Sequence, residues 1–236
     1  MTIFTSRFLN SSNFILLKDV GTTTKIEFLS TFLNFFINSK ISYNTVSGNG
    51  GGIALYDSDP SFTNVVISNN TAYDGGGLLC EYNSDPILTN VTIANNSAST
   101  AGSSLFSRHD ASITSVNSII YSNLSSHIVK NTGGSISITY SNISGGYTGS
   151  GNIDVDPSFI DSANDDYSIS NFSQCIGNGT ITGAPTTDLD GNPRPNPVGS
   201  NPDMGAYENS LATPDILGCM DSTSFTFNSN ANISDS

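Results

Sequence analysis

The chain has 236 residues, of which 22 are Gly, none is Trp and only 11% are charged, a balance that fits poorly with a helix-rich globule and points to strands and tight turns. Twenty acidic residues against 7 basic ones give a net charge of −13. That charge repels phosphate backbones and anionic membranes over most of the surface, excludes nucleic acid as a partner and disfavours anionic polysaccharides unless Ca²⁺ bridges the like charges.

Residues 1–35 carry no clear pattern. Ile15 falls 26 before Ile41, but Lys18 stands where the later pattern has Asn. Two readings compete: one or two degenerate coils, or an amphipathic helix over Ile26 to Ile37 with Phe28, Phe32, Phe35 and Phe36 at helical spacing, capping an open solenoid end. Arg7, Lys18, Asp19, Lys25 and Glu27 break any secretory signal, and no apolar stretch is long enough to span a bilayer, so membrane insertion by this segment is not expected.

From Phe36 the sequence repeats. Phe36, Phe62 and Leu88, then Asn38, Asn64 and Asn90, then Ile41, Ile67 and Ile93, then Asn44, Asn70 and Asn96 all fall 26 residues apart. Gly50 to Ile53 recurs at Gly75 to Leu78, and Ser-Asp-Pro occurs at both Ser58 and Ser84. A next coil follows with one residue inserted, at Asn117, Ile120 and Asn123, and the string Ser118 to Asn123 returns as Ser137 to Asn142, a step of 19 around a polar loop over Leu124 to Gly134. Each repeat holds three short alternating runs separated by turn residues, which leaves no room for helices and predicts an all-β right-handed parallel β-helix with three strands per coil over 36–150. Apolar residues then stack inside, and Asn stacks at turns, where it tolerates left-handed backbone and can bond to the next Asn along the axis. Sequons at Asn69, Asn90, Asn95, Asn123 and Asn142 are by-products of that turn chemistry. Cys80 falls on the apolar side of a strand, as a small buried hydrophobe.

Three stretches carry resemblances. The GGGI and FTNV elements between Phe36 and Asn142 resemble repeats of bacterial β-helix surface proteins, including polymorphic outer-membrane proteins. From Gly151, the strings GNIDVDPSFID, TDLDGNPRP and PDMGAYE resemble the choice-of-anchor Q module, which implies that 151–209 ends the β-helix in an irregular loop-rich cap and that the protein is extracellular or on the cell surface. The stretch from Gly218, within 210–236, resembles the start of a GC-D type repeat of marine bacterial surface proteins, which implies a truncated C-terminus and a lost partner for Cys219; with no secretory signal at the front, truncation at both ends is expected.

Two sets of residues could carry chemistry. Arg108, His109 and Asp110 stack over Glu81, Tyr82 and Asn83, and these over Tyr56 and Asp57, putting acid, base and ring on one face as polysaccharide lyases and glycosidases require. The alternative is an exposed ion pair between Glu81 and Arg108 of small value. Asp188, Asp190 and Asn192 alternate around Gly191 like the first part of a Ca²⁺ loop, and Asp154 and Asp156 offer a similar alternation; without a terminal Glu at EF-hand spacing, two readings compete, a structural Ca²⁺ at the C-terminal region or solvated turn carboxylates. Three functions follow: a non-catalytic surface β-helix displaying a face to extracellular glycans or surface proteins, a carbohydrate-active enzyme of the pectate-lyase-like fold, or a structural spacer.

Overall fold

A computed structural model of the chain describes residues 17–19, 24–29, 35–122 and 126–234. It is an all-β, parallel β-solenoid of about four turns. Strands β1 (Leu17–Asp19) and β2 (Thr24–Leu29) pair antiparallel, and β3 (Phe35–Ser42) leads into the first regular coil. That coil runs through β4 (Ile53–Tyr56), β5 (Ser61–Ser68) and β6 (Thr71–Asp74). The next holds β7 (Leu78–Glu81), β8 (Ile87–Thr89), β9 (Thr92–Ala94) and β10 (Ser97–Ala101). Then come β11 (Leu105–Ser107), β12 (Ser112–Val116) and β13 (Ile119–Tyr121), followed by β14 (Ile128–Lys130), β15 (Ser135–Thr139) and β16 (Asn142–Ile143).

Equivalent strands stack in parallel. One sheet orders β1-β2-β4-β7-β11-β14, another joins β3, β5, β8, β9, β12, β13, β15 and β16, and β6 pairs with β10. Ile41 pairs with Ile67 and Ile67 with Ile93, as the repeat predicts, and Ile93 pairs with Ile120 after the inserted residue. Along the N-terminal edge, β2 pairs with β4, placing Ile26 opposite Ile53. Thr24–Leu29 and Phe35–Ser42 are therefore strands, not the amphipathic helix that the Phe spacing suggested; residues 1–16, 20–23 and 30–34 lie outside the described set.

The last coil corrects the sequence reading. Ile120 pairs with Ile143 and the Ser118 backbone N–H donates to Ser141 Oγ, 23 residues on, not 19. The repeated hexapeptide misled because its second copy sits one strand earlier in the coil: Ile138 lies opposite Ser115 and Thr139 opposite Val116, so Tyr140 occupies the corner that Asn117 holds below it. Both corners are left-handed, with φ of 48° and 52°. Of the polar loop predicted over 124–134, residues 124 and 125 lie outside the described set, and the remainder contains the strand β14.

Inside, Ile53, Leu55, Phe62, Val65, Ile67 and their counterparts one and two coils on form one continuous apolar cluster, with Cys80 fully buried among them. Alternation puts every second residue of each strand into it. Phe36 and Phe62 stack at 4.8 Å at one end, and Tyr147 packs on the cluster at the other, its hydroxyl donating to Ile136 O at 3.1 Å.

Two corners explain the coil shape. At the first, Gly75 has φ of 64°, and a Cβ there would lie 2.8 Å from Leu79 Cβ, so only glycine lets the chain turn back over that strand. At the second, Asn44, Asn70 and Asn96 are buried and form an amide ladder. Asn44 Nδ2 donates to Asn70 Oδ1 and Asn70 Nδ2 to Asn96 Oδ1, both at 2.9 Å, while the backbone N–H groups of Asn44 and Asn70 donate to the same acceptors. Asn70 Nδ2 also reaches Ile41 O and Asn96 Nδ2 reaches Ile67 O.

Asn70→Ala removes the middle of this ladder, so that the buried Asn44 backbone N–H and side-chain amide lose the Asn70 acceptor and Ile41 O loses the Asn70 donor. The expected loss is about 2–4 kcal/mol of stability with an unchanged denaturant slope. Urea unfolding followed by circular dichroism measures it; a loss below about 0.5 kcal/mol would mean that the ladder contributes little.

Candidate functional site

The column of Tyr56, Glu81 and Arg108 forms as the spacing requires, with Tyr56 opposite Glu81 in the β4–β7 ladder and the Arg108 N–H bonded to Cys80 O at 3.0 Å. Its character differs from the expectation of an exposed ion pair. The Glu81 side chain is only 4% exposed, and Ala54, Leu79 and Phe106, from β4, β7 and β11, form a second, smaller apolar cluster with Tyr56 packed against it. Arg108 Nε donates to Glu81 Oε1 at 2.5 Å, Arg108 Nη1 lies 3.5 Å from Asp74 Oδ2, and the guanidinium sits 5.2 Å over the Phe106 ring. Partial burial works against the Arg108 charge, but the hydrogen bond and charge of Glu81 outweigh it and hold Arg108 above its ordinary range.

The same Glu81 Oε1 lies 3.2 Å from His109 Nδ1. His109, in the left-handed region at φ 53°, stacks its ring on Tyr82 at 4.8 Å and 12°, and Tyr82 stacks on Tyr56 at 6.1 Å. Asp110 is exposed on the following corner, its N–H on Thr132 O at 3.3 Å. Glu81, Arg108 and His109 therefore do come together, but the carboxylate is turned inward and engaged by both bases. What the column shows to solvent is a short pile of aromatic rings.

The C-terminal region lies along the flank of the solenoid, crossing every coil as a strap. After β17 (Phe159–Asp161) and β18 (Asp166–Ile169), which pair antiparallel, the chain packs Tyr167, Ala206 and Tyr207 on Val66 and Ala94, and Ile169, Cys175, Ile176 and Met204 on Ile119. A second row of left-handed Asn receives it. Asn64 Nδ2 donates to Thr187 O at 2.8 Å, Asn90 Nδ2 to Asp203 O at 3.0 Å, and Asn117 Nδ2 to Thr180 O at 2.8 Å. Asn69 and Asn95 bond to the Tyr167 hydroxyl, and the Tyr43 hydroxyl donates to Asp165.

Within the strap sits a buried charge network that sequence reading missed. Arg194 Nε donates to Glu208 Oε2 at 2.7 Å, both side chains being fully buried, and its other nitrogens donate to Asn64 Oδ1 and Gly205 O. Asp203 accepts the N–H groups of Gly177 and Asn209 at 2.8 and 2.6 Å. Burial and the nearby Glu208 charge push the Asp203 carboxyl up to about 7, and burial likewise raises Glu208 and lowers Arg194. A signal was present: in a chain with 7 basic residues, an Arg within the turn-rich string PRP calls for an acid to pair with.

Of the residues named as Ca²⁺ candidates, Asp188, Asp154 and Asp156 each close a turn of their own. Asp188 is fully buried, and its oxygens already accept the N–H groups of Asp190, Asn192 and Glu208 and the side-chain amide of Asn192. Asp154 Oδ1 accepts the Gly145 N–H and Asp156 Oδ1 the Ser158 N–H, each closing its own turn. Among the described residues, no three His, Cys, Asp or Glu side chains gather as a metal site. A shallow cavity of about 330 Å³ does open beside this turn, lined by Asp188, Asp190, Tyr207 and Glu208 among others.

Compared with protein families, curated proteins and solved structures, the chain matches none. The likeness to choice-of-anchor Q and GC-D modules thus has no support beyond the quoted strings.

Two outcomes follow. Arg108→Ala strands the buried Glu81 charge, with an expected cost of about 2–3 kcal/mol in chemical denaturation, against less than about 1 kcal/mol for an exposed pair. Asp203 and Glu208 bind protons more tightly folded than unfolded, so their contribution is full below about pH 4 and falls as pH rises through about 7. Thermal unfolding in a pH series should show stability declining from about pH 4 to 7, with Asp203→Asn flattening the decline; an unchanged slope would contradict it.

Proposed function

We propose that the chain is a non-catalytic module of an extracellular or cell-surface protein that displays stacked side chains to a neutral glycan. A β-helix fold is consistent with surface and carbohydrate-related proteins. The observation that carries the reading is the inward, doubly engaged Glu81. A lyase or glycosidase must bring a carboxylate or base within hydrogen-bond reach of its sugar, and here Arg108 and His109 both hold the column's acid below the surface.

Tyr82 is 52% exposed and, stacked between His109 and Tyr56, presents its hydroxyl and ring rim on a rigid pile of rings, which gives contact area with little lost side-chain freedom. The surrounding negative charge disfavours acidic sugars, which narrows the ligand to neutral ones. The Asn-rich turns and the strings resembling exported modules support placement outside the cell. No described helix is long and apolar enough to cross a membrane.

A glycan array probed with the full chain tests this. Binding to neutral oligosaccharides, weakened about tenfold or more by Tyr82→Ala, is expected. Release of cleaved product from a polysaccharide panel, abolished by His109→Ala, would establish the enzyme reading instead, and no binding on any array would leave the spacer reading.

A further inference from the structure

The last coil is fastened through one residue. His127, just before β14, lies beside Ser104 of the coil below, and its carbonyl accepts the Ser104 and Leu105 N–H groups, each at 2.9 Å. Its ring reaches the other way, with Nε2 2.7 Å from Ser144 O in the turn after β16. His127 thus joins the start of β14 both to the coil below and to the end of its own coil. Ser144 in turn is tied to that lower coil, its Oγ donating to Ser122 O and accepting the Ser122 N–H, both at 2.9 Å.

The bond to a carbonyl fixes the tautomer. A carbonyl oxygen only accepts, so Nε2 carries the proton and Nδ1 is left with a lone pair. Nδ1 is buried with no partner among the described residues, and His127 as a whole is 8% exposed. Its neighbour Ser104 also holds a buried hydroxyl with no partner among the described residues. Of the elements packed on the ring, the corner before β11 offers Ser103 and Ser104, and the turn after β16 offers Ser144. Asp154, which accepts the Gly145 N–H at 3.0 Å, is the one charge that acts on the ring; Lys130, on β14, is exposed. A second ring proton therefore creates a buried cation whose one compensating charge is already bonded elsewhere.

We propose that His127 is an acid-sensitive latch on the last coil: neutral, it holds β14 to the turn after β16, and protonated, it releases them. Burial holds the ring below its ordinary value of 6.5, against the Ser144 carbonyl and the Asp154 charge, which favour the proton. A ring that binds its proton less tightly folded than unfolded adds stability above about pH 6.5, and that stability is lost as pH falls. Asp203 and Glu208 respond in the opposite sense, so mild acid tightens the strap while it loosens the end of the solenoid. The latch is independent of the glycan reading, since it uses neither Tyr82 nor the Glu81 column.

The chain has two histidines, so their imidazole nitrogen resonances, followed by NMR from about pH 8 to about pH 5, test this directly, with His127→Gln assigning each set to its ring. His127 should show the Nε2–H tautomer at neutral pH and take its second proton below the ordinary value. Over the same range the Ser104 and Leu105 amides, corrected for the intrinsic pH dependence of hydrogen exchange, should open about threefold or more often, while the Asn70 amide should not. In His127→Gln, whose side-chain amide is a neutral donor that takes no proton in this range, the pH response of those two amides should vanish. An Nδ1–H tautomer, a proton taken at or above the ordinary value, opening shared equally by Asn70, or a response that survives His127→Gln would each overturn the proposal. Should His127→Gln fail to fold, the tautomer and exchange measurements on the wild-type chain decide by themselves.

Discussion

A buried amide that bonds to its own copy one coil away is the interaction on which the rest of this fold depends. Parallel strands satisfy their own backbone groups, but the corners between them cannot, and a solenoid must bury one set of corners against the next. Asn70 resolves this most fully, its Oδ1 accepting the Asn44 backbone N–H while its Nδ2 donates to the Asn96 amide oxygen and to Ile41 O, and Asn44 and Asn96 carry the ladder on to either side. The bond works only if the residues coincide along the axis, so it fixes the coil at 26 residues wherever it occurs. Where it stops, after Asn96, the coils lengthen to 27 and then shorten to 23.

The outer Asn row uses the same residue for another purpose. Asn64, Asn90 and Asn117 hold left-handed corners whose amides face out, and they bond to successive segments of the strap. An irregular chain with few strands of its own is thereby held in place by the regularity of the scaffold. Arg194 ties the two together, since one guanidinium bonds to Asn64 on the coil and to Glu208 and Gly205 on the strap. A buried charge network of this kind is a weak source of net stability, but breaking one member is costly, which makes it a determinant of a single strap position.

Much of the scaffold was legible because its determinants are local and periodic. The alternation around Phe62 and Ile67, the Gly corner and the Asn spacing each follow from strand and turn chemistry, and together they fix the pairing of Ile41, Ile67 and Ile93. The last coil was misread because Ser-Ile-Thr-Tyr-Ser-Asn repeats the composition of a strand and turn without occupying the same place in the coil. In the candidate site, the Glu81 and Arg108 contact could be read from spacing, but its burial could not, since alternation alone places Glu81 on the outer side of its strand and does not show how closely Arg108 and His109 pack on it. The structural role of Asp188 was hidden because sequence does not show which amides reach a carboxylate, and here those of Asp190, Asn192 and Glu208, the last 20 residues on, all do.

The central claim is the coil register, and proton nuclear Overhauser contacts measure it most directly. The account predicts side-chain contacts from Ile67 to both Ile41 and Ile93, and from Ile120 to Ile143. Contacts of Ile120 with Thr139, 19 residues on, or a set dominated by the short i to i+4 contacts of helices, would contradict it.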